Sequence, residues 1–159
     1  MNLIIDGHNL IPHLPGITLR DIDDEEKLIR WLLDYCRTRK VRINVYFDQA
    51  AQNGQGSQSF GAVKAHFVQK GITADDAIVA AVKKLGGSAR NYKVVSNDRM
   101  VISAAKSMHA EVMLSSDFAR ELVRLSEESP EIDPRNKALT QNEVEEWEEM
   151  FSNRKHPHK

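Results

Sequence analysis

Short apolar runs alternate with amphipathic, helix-like segments along this chain, and several of the runs end on aspartate: "LIID" (3–6), "RINVYFD" (42–48) and "YKVVSND" (92–98). Strands separated by helices make βαβ crossovers, which put consecutive strands parallel and cover the sheet with helices. The alternation therefore predicts an α/β fold, with a mostly parallel central sheet and helices on both faces. After Asp23, a capping box with Glu26 opens a helix whose inward face carries Leu28, Leu32, Tyr35, Ile29, Leu33 and Cys36. "RTRK" closes it and complements its dipole. "AVKAHFV" (62–68) alternates as a third strand, and "AAQNGQGSQSFG" (50–61) has the composition of a flexible loop. Thr73 caps a helix that Gly86 and Gly87 end. A helix with Val101, Ala104, Ala105 and Met108 follows the fourth strand. "EVML" is a fifth strand, and Ser116 caps a last helix with Phe118, Leu122 and Leu125 inward.

The 159 residues suffice for one domain with a sizeable core. The pattern breaks near Ser129, at the polar linker "SPEIDPRNKA". We expect a domain over 1–128. Over 129–159 we expect a linker, an appended helix "LTQNEVEEWEEMF" and a disordered tail. Thr140 and Glu143 form that helix's capping box, and Val144, Trp147 and Phe151 its apolar stripe. The net charge of −1 hides an asymmetry: Glu127–Glu149 carries −7, and the remainder +6. A basic body is compatible with a polyanionic partner. One cysteine, Cys36, allows no intrachain disulfide and no Cys-based metal site; its place on a helical apolar stripe makes it core. No run is long enough to span a bilayer, and no basic-then-apolar leader opens the chain, so a cytoplasmic location is expected and a membrane partner is not.

In an open parallel sheet, ligands bind at the C-terminal strand ends beside a topological switch point. Asp6 and Asp48 end strands, Asp98 lies just past one, and Asp75 and Asp76 open a helix on the same edge. Taken singly, these residues have plain structural uses. Asp75 and Asp76 suit a helix dipole, Asp98 an N-cap and Asp48 a turn. Asp6 is harder to explain so, because it follows buried strand residues directly. Gathered together, the carboxylates repel one another, and a hard cation offsets that. All-oxygen ligation suits Mg²⁺ or Mn²⁺ and not zinc. Gly7 permits an unusual backbone or a close approach by a ligand, and Asn9 is placed to hold Asp6 or a phosphate oxygen. His13, His66 and His109 show no metal-ligand spacing and read as structural or surface residues.

"LIIDGHNLI", "VYFD", "TADDAIV" and "VVSND" occur in this order and at similar spacing in the NYN domain, above all in its bacterial YacP-like branch, within the PIN-like nuclease superfamily. The chain resembles that branch over residues 1–125, and "LTQNEVEEWEEMF" is similar to its C-terminal helix. The resemblance implies a PIN-like three-layer α/β/α sandwich and a metal-dependent endoribonuclease that hydrolyses phosphodiester bonds in single-stranded RNA. It makes Asp6, Asp75, Asp98 and Asn9 the catalytic set, with Mg²⁺ or Mn²⁺ held by Asp6, Asp48, Asp75 and Asp98. Asn9 and Ser96 would position ligands. Arg99 would meet a phosphate or form a surface ion pair, and Lys64 would touch the RNA backbone. His8 stands where the family usually has Tyr; it retains the ability to stack and to donate a hydrogen bond. The Gln49–Gly61 loop has no charged residue, so RNA contacts of the family's kind are not expected from it.

RNA is thus the expected partner, free or presented by the ribosome or another assembly, and a homodimer is compatible with the sequence. Two rivals remain at this level. A small-molecule phosphohydrolase would use a nucleophilic D-x-D, and "DGHN" lacks the second Asp. A non-catalytic RNA- or protein-binding module would retain the acidic pocket without using it. A dinucleotide site is disfavoured because no G-x-G-x-x-G follows the first strand.

Overall fold

The computed structural model describes residues 1–19, 23–48, 56–69 and 71–128. Its six-stranded sheet consists of β1 (Asn2–Asp6), β2 (Arg42–Phe47), β3 (Gly56–Phe60), β4 (Val63–Phe67), β5 (Tyr92–Val95) and β6 (Glu111–Met113), in the order β3-β4-β2-β1-β5-β6. All pairs are parallel except β3–β4. The helices are α1 (Gly7–Leu10), α2 (Asp24–Arg39), α3 (Ala74–Leu85), α4 (Arg99–Ser107) and α5 (Ser115–Glu128). From β1 the chain builds outward through β2 and β4, then returns to place β5 on the other side of β1. The switch point therefore lies between β1 and β5, where Asp6 and Asp98 emerge.

Strand alternation divides the core in two. Leu3, Ile5, Ile43, Val45, Phe47, Val63, Ala65 and Phe67 face α2 and α5, which contribute Leu28, Ile29, Leu32, Phe118 and Leu122. Ile4 and Val94 face α3 and α4, against Ile78, Val82, Val101 and Ala105. Three layers result, as the resemblance implies. Cys36 is buried in the first cluster, and burial pushes its thiol up to about 12, so it is an inert core residue.

Three local expectations are corrected. Residues 56–60 are not loop: they form β3, an antiparallel edge strand whose Phe60 alone is buried. Its Gly, Ser and Gln residues carry no hydrophobic period to announce it. Asp23 occupies the N-cap position of α2, but its side chain caps nothing there and lies 3.7 Å from Lys27 Nζ. The last helix begins at Ser115, so Ser116 sits inside its first turn. Thr73 does cap α3, accepting from Asp76 N at 3.0 Å, and Gly86 ends it at φ 57°. The appended helix and tail expected over 129–159 lie outside the described residues.

Candidate active site

Asp6 is the last residue of β1 and the N-cap of α1; its Oδ1 accepts from Asn9 N at 3.3 Å. It is 5% exposed. The chain can turn there because residue 7 has no side chain. A Cβ on Gly7 would stand 2.4 Å from the Phe47 ring. The glycine thus serves a close approach by Phe47. Gly7→Ala is expected to cost about 1–3 kcal/mol through overpacking, seen as a lower urea midpoint, because Phe47 is fully buried and cannot swing clear.

Asp75, in the first turn of α3, is hydrogen-bonded to both Asp6 and Asp98. That contact with Asp6 contributes most, followed by burial and the charges of Asp6 and Asp98, and together they push the Asp75 carboxyl up to about 8. Without a cation, this crowding favours the protonated form of Asp75. Asp98 is also the N-cap of α4, its Oδ1 accepting from Met100 N at 2.9 Å and Val101 N at 3.1 Å. The structural and functional uses of this aspartate coexist, since a carboxylate has several lone pairs. Asp76 is exposed and faces no member of this triad in any described contact.

Asp48 stands apart from the triad. Its Oδ1 accepts from Ala74 N at 2.7 Å, so it caps the N-terminus of α3 from across the sheet edge. Its Oδ2 lies 3.7 Å from His8 Nδ1. His8 Nε2 is 3.4 Å from Glu25 and 4.0 Å from Asp24, and the ring tilts against Phe47 at 5.2 Å. Burial by itself would lower the His8 pKa. The hydrogen bond and charge of Glu25, with the charges of Asp24 and Asp48, outweigh it and raise the pKa overall. Among the described residues, His8, Asp24 and Glu25 bring their ligand atoms within 4.8 Å of one another, close enough to share one cation.

Sequence reading singled out neither Asp24 nor Glu25. A signal was present. Glu25 falls one turn before Leu28 and Ile29 on the apolar stripe of α2, and a carboxylate on a buried face needs a partner.

Asn9 braces the edge. Its Oδ1 accepts from Asn97 N at 2.8 Å and from Ser115 Oγ at 2.7 Å, tying α1 to the end of β5 and the start of α5. Ser96 is fully buried, and its hydroxyl accepts from Asp98 N at 3.0 Å. It shapes the turn that presents Asp98. Arg99 is exposed at the first residue of α4. Lys64 is exposed near the start of β4, away from the triad's strand ends. His13 Nε2 lies 3.4 Å from Asn97 Nδ2, and His109 closes α4 at φ 66°, as structural residues would.

A mostly parallel sheet with three aspartates gathered at its switch point defines an α/β/α domain with an acidic strand edge. The chain belongs to the YacP-like NYN domain family, whose family model matches residues 3–155. Membership gives it a nuclease-type, RNA-related function. Two crystal structures of Rae1 (YacP) from Bacillus subtilis share the fold. One, of a tryptophan-to-leucine mutant, is 20% identical at a TM-score of 0.65, covering 92% of this chain and 90% of its own. The other is 22% identical at 0.63, covering 96% and 93%. No curated protein sequence matches. No helix among the described residues is long and apolar enough to cross a membrane.

Proposed function

We propose that this domain is an endoribonuclease that depends on Mg²⁺ or Mn²⁺ and cuts single-stranded RNA at the Asp6–Asp75–Asp98 crevice. The observation that carries the reading is the crowding of Asp75 against Asp6 and Asp98, which pushes one carboxyl up to about 8. An arrangement that unfavourable without a cation fits one that a cation completes. The donors are carboxylate oxygens, which suit a hard ion that keeps some of its waters. Such an ion supplies an activated water and shields a phosphate from the surrounding carboxylates.

The chain's own residues do the rest. Asp6, Asp75 and Asp98 hold the ion, while Asn9 and Ser96 fix the backbone that presents Asp6 and Asp98. Arg99, exposed beside Asp98, takes up a non-bridging phosphate oxygen. His8, held by Asp24, Glu25 and Asp48, lines the approach next to Asp6. The group of His8, Asp24 and Glu25 offers a place for a second cation. RNA reaches the site free or presented by an assembly such as the ribosome, and the cytoplasm is the compartment we propose.

The test is cleavage of an end-labelled single-stranded RNA with Mn²⁺ and with EDTA, beside Asp6→Asn prepared identically. Cutting that needs the metal and vanishes in the variant supports the reading. Equal traces of cutting from both proteins would mean contamination, and the binding-module reading would replace this one.

A further inference from the structure

The two faces of the sheet are covered unequally. On the α2/α5 side, the apolar cluster and the residues packed on it draw on all six strands. On the α3/α4 side, among the described residues, it draws on β1, β2, β5 and β6, and on no residue of β3 or β4. Side chains of β2, β4 and β3 that alternate onto this second side are polar or aromatic: Asn44, Tyr46, Lys64, His66, Ser57 and Ser59. All six are half-buried or exposed. Strands β2, β3 and β4 contain no acidic residue.

Within this half-sheet the two rings are stacked. Tyr46 and His66 lie 4.4 Å apart between centroids and 12° from parallel. His66 is clamped at both nitrogens, by Ser57 Oγ at 3.0 Å and by Asn44 Oδ1 at 2.9 Å. The Asn44 oxygen can only accept, so His66 Nε2 carries the proton and Nδ1 accepts from the Ser57 hydroxyl. Burial and the charge of Lys64 lower the His66 pKa to about 4, which keeps the ring neutral at physiological pH. A flat, neutral ring held in its plane has few remaining polar needs and offers its surface. The stack also adjoins the crevice, because Tyr46 is the direct register partner of Asp6.

We propose that this open half-sheet is a base-stacking platform that leads single-stranded RNA to the aspartate edge, the Tyr46–His66 pair receiving a base and Lys64 a neighbouring phosphate. The proposal rests on the nuclease reading only for where the strand goes next. Stacked aromatics beside a lysine match how single strands are held without sequence readout. The acidic stretch 127–149 would also be attracted to a lysine. It offers no series of bases to an aromatic stack that runs up to Asp6.

The experiment is fluorescence anisotropy with a short labelled single-stranded RNA and the full chain in EDTA, so that binding is read whether or not the protein cuts. His66→Ala and Tyr46→Leu are each expected to weaken binding about tenfold. Lys64→Gln is expected to lower the salt slope by about one. An oligonucleotide with abasic positions should bind the wild type about tenfold more weakly and lose its sensitivity to the ring variants, which is the signature of stacking. Tyr46 packs against the α3/α4 cluster, so if Tyr46→Leu fails to fold, His66→Ala carries the test alone. Unchanged or tighter binding by His66→Ala, equal losses on intact and abasic RNA, or no binding by the wild type would each overturn the proposal. Tighter binding would place the acidic segment on this face. A chain that cuts RNA while indifferent to His66 rejects the platform and keeps the nuclease. A chain that binds through the rings without cutting does the reverse.

Discussion

Asp75→Asn is expected to reduce metal-dependent RNA cleavage about 100-fold or more and, in EDTA, to make the protein more stable than wild type at pH 8. The two effects have one cause. Asp75 is the carboxyl that meets both Asp6 and Asp98, so its loss removes the oxygen on which the cluster converges. The same carboxyl is under strain when no cation is present. Its folded pKa is raised from 3.8 to about 8. Between these values the unfolded chain has already released its proton, while the folded chain still holds it. Folding then binds a proton, so stability falls as pH rises from about 4 towards 8. Thermal melts in EDTA across that range should show the wild type losing stability and Asp75→Asn losing less of it. Adding Mn²⁺ should restore the wild type and do little for the variant. A variant that cuts like wild type would remove Asp75 from the site. Parallel pH profiles would mean that the Asp75 carboxyl is not held protonated in the folded chain.

Residues 3–6, 43–47 and 92–95 were legible as strands because each must satisfy helices on at least one face, which leaves runs of Ile, Val and Leu between helical periods. That topology also put Asp6, Asp75 and Asp98 on one edge, since every parallel strand presents its C-terminal end there. What escaped was structure whose cause lies in distant partners. β3 is held by ladder bonds to β4 and buries only Phe60, so its composition reads as loop. Asp48 looked equal to the other strand-end aspartates, yet the arrival of the α3 N-terminus 26 residues later takes one of its oxygens. Asp24 and Glu25 lie where any helix welcomes acids, and only the approach of His8 reveals a second use for them. The triad followed from strand direction; the His8 group depends on how α2 leans over the turn after β1.

Asn9→Ala is expected to destabilise the fold by about 2–4 kcal/mol and to lower cleavage as well, though Asn9 need not touch RNA. Its Oδ1 is a shared acceptor, serving Asn97 N, 88 residues away, and Ser115 Oγ, 106 residues away. Alanine leaves both donors without it, and Ser115 is fully buried, where water cannot replace the lost bond. Asn97 in turn holds Ser115 N through its own Oδ1 at 2.8 Å, so one change loosens the junction of β1, β5 and α5. Asp6 and Asp98 are carried on two of these segments, and misplacing either would scatter the ligands around Asp75. Asn9→Asp separates the contributions. It keeps an oxygen for both donors, so urea denaturation should show most of the stability retained. It also adds a fourth carboxyl close to Asp6, so cleavage should fall and the metal requirement should change. If Asn9→Asp is as unstable as Asn9→Ala, the shared oxygen is not what holds the junction. If Asn9→Ala melts like wild type and still loses activity, Asn9 acts on the substrate and not on the frame.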